Sequence, residues 1–258
     1  DEGDSSTAIG YNALLRQNVG DEASNNTGVG KGAGLFNVTG KNNTYVGSGA
    51  GVGADGQSNT GNTAVGANAG LALTTGQYNV LMGYQAGDAL TTMTHNTAIG
   101  TDALSGSSLV DSCVIIGSQA GAGAMTATAD TTVAVGYAAL NALTSGANNI
   151  AVGGSALTAM TTGSSNIAIG NSAMSTANHA DTDNNIAIGS DALNSSGTAG
   201  TSGNIAIGTS ALTAQTSGLY NVAIGHLAAQ STVTGLGNVA IGYNAMETAS
   251  HNDSDYNT

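Results

Sequence analysis

The stretch Asn166-Ile167-Ala168-Ile169-Gly170-Asn171-Ser172-Ala173 recurs along the chain. Nineteen residues later it reads Asn185-Ile186-Ala187-Ile188-Gly189-Ser190-Asp191-Ala192, and seventeen residues earlier it reads Asn149-Ile150-Ala151-Val152-Gly153-Gly154-Ser155-Ala156. The consensus is Asn-[Thr/Val/Ile]-Ala-[Ile/Val]-Gly-x-x-Ala-[Leu/Gly/Met]. Its glycines are Gly10, Gly30, Gly47, Gly66, Gly83, Gly100, Gly117, Gly136, Gly153, Gly170, Gly189, Gly208, Gly225 and Gly242, fourteen copies in all. After a first spacing of 20, all the others are 17 or 19 residues. A difference of two is the side-chain period of a strand, so loops can lengthen without exchanging the faces. Fixed-period repetition of this kind is the signature of a solenoid.

Three columns define the unit. Every copy carries Ala three residues after the glycine, from Ala13 to Ala245. Eleven copies carry Asn four residues before it, and Ser6, Cys113 and Thr132 fill the other three. The residue just before the glycine is Ile, Val or Met throughout. Each unit reads as a short strand ended by a glycine corner that a β-branched residue would not turn. Stacked coils place Asn over Asn, so that side-chain amides form a ladder along the axis. The coil-to-coil step is expected at ~4.8 Å, and fourteen coils at roughly 65–70 Å.

Within a strand, the residues three and one before the glycine share a face. The first is mostly Thr in early copies (Thr7, Thr27, Thr44, Thr63, Thr97) and Ile or Val in later ones (Ile150, Ile167, Ile186, Ile205). The expectation is that these stack inside the coil. The small Ala between them (Ala98, Ala151, Ala223) is then on the opposite face, where a neighbouring chain can approach closely. That is the sequence argument for a homotrimer. The chain is thus expected to be all-β, a parallel β-solenoid of about 14 coils of 17–20 residues, one repeat domain over 1–258. Helix periodicity and linkers are absent from the sequence. The intervening segments, such as Thr161-Thr162-Gly163-Ser164-Ser165, read as outer turns.

Composition fits a thin core. There are 40 glycines, no proline, no tryptophan and one phenylalanine, and 7% of residues are charged. The formal net charge is −13, and the three basic residues are Arg16, Lys31 and Lys41. Without clustered cations, nucleic acid and anionic membrane surfaces are not expected partners. The acidic charge reads instead as a solubilising coat. Cys113 is the single cysteine, which leaves no intrachain disulfide. No apolar run approaches the ~18 residues of a membrane span, so membrane insertion by this segment is not expected. The sequence begins at Asp1 without Met and reads as a processed product or a piece of something longer.

The run Asn-Ile-Ala-Ile-Gly-x-Ser-Ala resembles the head repeats of YadA-like trimeric autotransporter adhesins. The longer unit from Asn79 to Gly100 looks like repeats of phage tail fibres and bacterial surface fibres. The resemblance covers essentially the whole chain. It implies a left-handed β-roll, three chains to a head, and an extracellular, cell-surface or virion location. It also implies host surface protein or glycan as partner, and it names no ligand. The stalk and membrane-anchor barrel of the autotransporter plan have no counterpart in this sequence.

Candidate sites are few. A 72-residue super-repeat pairs His179-Ala180-Asp181-Thr182-Asp183 with His251-Asn252-Asp253-Ser254-Asp255. Asp181 and Asp183, with Asn184, offer hard oxygen ligands suited to Ca²⁺, as do Asp253 and Asp255 with Asn252. A complete site needs six or more oxygens, and the simpler alternative is a pair of solvated acidic turns. His95 and His226 lack zinc spacing, and no other cofactor is expected. Cys113 sits in the Asn column and reads as a small buried residue, with no general base beside it. Tyr11, Tyr84, Tyr137 and Tyr243 each follow a repeat glycine. They are either a sparse aromatic strip for glycans or corner decoration. Gly28-x-Gly30-x-Gly32 lacks the helix that phosphate binding requires. A regular roll offers no cleft for paired carboxylates, and an enzyme is not expected. The expected role is a structural or adhesive fibre segment. The alternative is a matrix filament, in which Asn257-Thr258 begins an unfinished unit that docks on Thr7-Ala8-Ile9 of the next subunit. Ice or glycan binding by Thr rows ranks last, because no Thr-x-Thr column repeats.

Overall fold

The computed structural model describes residues 5–18, 24–178, 182–194, 200–231 and 234–246. It comprises two compact units, residues 1–130 and 131–258. Unit 1 holds seven three-residue strands: β1 (Thr7–Ile9), β2 (Thr27–Val29), β3 (Thr44–Val46), β4 (Thr63–Val65), β5 (Val80–Met82), β6 (Thr97–Ile99) and β7 (Val114–Ile116). A single 3₁₀ turn follows at Ala127–Ala129. Unit 2 holds β8 (Val133–Val135), β9 (Ile150–Val152), β10 (Ile167–Ile169), β11 (Ile186–Ile188), β12 (Ile205–Ile207), β13 (Val222–Ile224) and β14 (Val239–Ile241). No helix among the described residues is long and apolar enough to cross a membrane.

Within each unit every strand pairs in parallel with the next, and like positions are partners. In unit 1 Thr27 lies against Thr44 and Val29 against Val46. In unit 2 Ile167 lies against Ile186, although their loop is two residues longer than the one before. Pairing does not stop at the strands. The Leu14 N–H donates to the Ala33 carbonyl at 2.9 Å and the Arg16 N–H to the Leu35 carbonyl at 3.1 Å. The returning arc is therefore laddered as well, and each unit is a parallel β-solenoid.

Turn chemistry explains the coil. Each repeat glycine accepts a bond from the Ala three residues on, as in Ala173 N–H to Gly170 carbonyl at 3.3 Å. The second residue after the glycine is left-handed in every coil, as with Ser172 at φ +55°. Such a turn favours Gly or Asn there. The fourth residue is left-handed too, even where it is leucine, as with Leu157 at φ +52°. That conformation costs a branched side chain about 1 kcal/mol, which its burial offsets. The repeat glycine itself is imposed by the next coil. At Gly30 (φ +132°) a Cβ would lie 2.5 Å from the Gly47 carbonyl oxygen.

The expected orientation of the strands is reversed. The middle residue points into the coil: Ala98, Ala151, Ala168, Ala187 and Ala206 are fully buried. The Thr, Val and Ile on either side of it face outward and are half-buried or exposed. A period of two assigns residues to two faces without saying which is inner. Space decides it. Directly across from the strand there is room for one bulky side chain, and the arc often supplies it, through Leu104, Leu140, Leu157, Met174, Leu193 and Leu212. Where the strand carries the bulk, the arc gives way. Tyr45, Leu81 and Ile115 replace the inner Ala, and Gly51, Gly87 and Gly121 then replace the Leu four residues after the repeat glycine. A Cβ on Gly34 would lie 2.7 Å from the Tyr45 ring, and one on Gly87 2.7 Å from Leu81.

Candidate functional site

The asparagine column forms a continuous buried ladder in each unit. In unit 1 it runs Asn26, Asn43, Asn62, Asn79, Asn96, and in unit 2 Asn149, Asn166, Asn185, Asn204, Asn221, Asn238. From Asn26 to Asn79 and from Asn149 to Asn221, each Oδ1 accepts two bonds from the next coil. Asn26 Oδ1 takes the Asn43 backbone N–H at 2.8 Å and Asn43 Nδ2 at 3.0 Å. The second Nδ2 hydrogen goes to a carbonyl three residues before the next rung. Asn43 donates to the Asn59 carbonyl at 2.8 Å, and Asn166 to the Thr182 carbonyl at 2.7 Å. The amide is thus saturated, which is what allows it to be buried. Extra loop residues fall before that carbonyl, so 17- and 19-residue coils leave the ladder unchanged.

Cys113 takes a rung as the sequence indicates. Its N–H donates to Asn96 Oδ1 at 3.0 Å, and its Sγ lies 3.6 Å from the Ala129 carbonyl, the counterpart of the Asn acceptor. It is buried.

Of the four aspartates read as calcium ligands, Asp181, Asp253 and Asp255 lie outside the described residues, as do His179 and His251. Asp183 is half-buried and already engaged. Its Oδ1 accepts the Ser164 N–H at 2.6 Å, and its own N–H donates to Ser202 Oγ at 3.2 Å. Asp111 and Asp130 occupy the same column and do the same, accepting the Thr94 and Asp111 N–H groups at 2.5 and 2.8 Å. Aspartate two residues before the rung is therefore a coil-to-coil clip, a role not deduced from the sequence. No three His, Cys, Asp or Glu side chains converge among the described residues.

The tyrosines do not form a strip. Tyr11 and Tyr84 in unit 1 stand four coils apart, and Tyr137 and Tyr243 in unit 2 six coils apart. Tyr243 stacks on His226 at 5.7 Å between ring centroids, and Tyr78 packs on His95 at 5.3 Å. Among the described residues two ionisable groups are perturbed. Burial pushes the Tyr45 phenol well up, and its hydroxyl is bonded to Asn59 Oδ1. Burial, with the Asp102 charge adding to it, raises the Asp88 carboxyl, whose Oδ1 has no hydrogen-bond partner.

The outer sheet face is the most extensive feature. In unit 2 it presents two in-register rows of Val and Ile, seven to a row. Ile169 is 38% exposed, Ile224 37% and Ile150 36%. In unit 1 Thr fills five of seven places in the first row, and the second is aliphatic. Comparison with family models, with curated proteins and with solved structures finds no match for the chain.

Proposed function

We propose that the chain is a segment of an extracellular or virion surface fibre, whose rolls associate as homotrimers through the outer sheet faces and present a binding surface. One observation carries this. The unit 2 face carries fourteen β-branched aliphatic side chains in two in-register rows, four of them exposed and ten half-buried. Soluble monomers rarely leave a contiguous apolar patch larger than a few hundred Å². A strand apolar on both faces wants cover on both, and the coil interior covers only the Ala face. Apolar rows on neighbouring copies can cover one another. Three copies about an axis, each a left-handed roll, is the arrangement that the resemblance to trimeric adhesin heads implies. Sedimentation equilibrium tests it: a mass of three times 24.8 kDa, independent of concentration in the micromolar range, is expected. A monomer would end the proposal, and a dimer would replace face closure about three by simple face-to-face pairing.

A second arrangement has its own support. Among the described residues β1, first in the sheet order, pairs on one side only, with β2. An open parallel edge of this kind invites another strand, and head-to-tail filaments would use it. Electron microscopy distinguishes the two, since only edge addition gives filaments many times the length of one chain.

A further inference from the structure

Unit 1 carries a hollow of about 220 Å³, lined by Tyr11, Asn12, Lys31, Gly32, Leu35, Ser48, Gly49 and Val52. It exists because of two glycines. The second residue after the repeat glycine is Asn12, Asn68, Gln85, Asp102 or Gln119 in the other coils of this unit, all left-handed at φ +54 to +59°. Gly32 and Gly49 hold the same conformation at +68° and +71°. Backbone geometry therefore does not require glycine at these two places. Packing does not require it either. A Cβ on Gly32 would meet nothing within 4 Å, and one on Gly49 would meet only the Asn68 side-chain amide closely. The missing side chains leave a floor between the aliphatic walls Leu35 and Val52.

The rim defines the ligand. Tyr11, 73% exposed, and Lys31, also exposed, both border the hollow. Lys31 is one of only three basic residues in a chain of net charge −13, and of the other two Arg16 is paired with Asp55 at 3.9 Å. The backbone offers no anion nest, because the Gly32 and Gly49 N–H groups are spent on the Tyr11 and Lys31 carbonyls at 2.8 and 2.9 Å. A phosphate, which wants several converging donors, is poorly served. A ring with one apolar C–H face and one carboxylate is well served. Its face lies on Tyr11 and the aliphatic walls, its carboxylate meets Lys31, and Asn12 and Ser48 serve its hydroxyls. We infer that this hollow is a binding site for one acidic monosaccharide unit, a uronic or nonulosonic acid, of a surface glycan. This deepens the fibre reading and rests on it only for the setting, since the site is complete within one chain.

The test is a ligand-observed NMR titration of the intact chain with glucuronic acid and N-acetylneuraminic acid, with glucose and acetate as controls. At least one acidic sugar should bind with a Kd of about 1–10 mM, ordinary for a single small ring. Whichever binds tighter identifies the source. Glucose should bind at least ~5-fold more weakly, and acetate more weakly still, because each offers half the recognition. Gly32→Asn installs the residue of neighbouring coils, fills the floor without disturbing the fold, and should weaken binding by ~10-fold or more. Lys31→Gln should weaken it ~5-fold and remove its salt dependence. No acidic sugar bound below ~50 mM, acetate bound as tightly as the sugars, or both variants binding like the parent would each overturn the assignment. Sedimentation of every variant separates a loss of assembly from a loss of binding.

Discussion

At the scale of single residues the molecule depends on saturated amides. Asn166 receives the Asn185 N–H and Nδ2 at 3.0 Å each and donates to Asn149 and Thr182. Asn166→Ala strands donors and acceptors on both sides at a fully buried site. Urea unfolding should show a loss of about 2–4 kcal/mol with the slope unchanged. The asparagine column was legible in the sequence because an amide repeated in register has few other uses. The aspartate clip was not, because Asp183, Asp111 and Asp130 stand where other coils carry Ser, Thr, Lys, Gln, Ala or Leu, and no motif results. Asp88 gives a signed prediction. Its carboxyl is raised in the folded state, so the folded chain holds the proton more tightly than the unfolded one. Stability from this group is therefore greatest below the ordinary carboxylate range and falls as the pH rises through it. Asp88→Asn should raise the melting temperature at pH 7 and leave it unchanged near pH 3. Equal effects at both values would show that the charge is irrelevant.

At the scale of the coil, bulk is traded between strand and arc. Gly51→Leu gives coil 3 the arc residue of Leu104 or Leu157, but against the Tyr45 ring it has no space. That change alone should cost more than ~3 kcal/mol, and Tyr45→Ala alone about 3–5. The double variant Tyr45→Ala/Gly51→Leu recreates the common coil and should recover most of the loss. A coupling of about 2 kcal/mol or more in the double-mutant cycle is expected, and additive effects would refute the exchange. The trade was in the sequence all along: Tyr45 with Gly51, Leu81 with Gly87, Ile115 with Gly121, against Ala98 with Leu104. Alternation alone placed Ile inside and Ala outside. The size correlation across the glycine corner is the signal that assigns the inner face correctly, since only side chains that share a space need to compensate one another.

For the molecule as a whole, the outward rows are what assembly would use. Ile186 and Ile205 lie side by side in the middle of the unit 2 face. A double substitution to Lys puts two charges where a second copy would seat. It should yield monomers in sedimentation with the far-UV spectrum retained, because neither side chain contributes to the coil interior. Persistence of the parent's mass would move the interface elsewhere. Repetition made the solenoid legible from one unit, whereas the partner of the outer face is not written in any single coil. The exchange between strand and arc also bears on how such a chain can be inherited. From Asn149 to Asn238 every coil has Ala on its inner strand position. Replication slippage that drops or duplicates one whole coil there returns each neighbour an equivalent surface. The same event around Gly34, Tyr45 and Gly51 would part the ring from the glycines that house it. Length is thus free to drift between lineages in one stretch of this gene, while the first few coils are held to a fixed order.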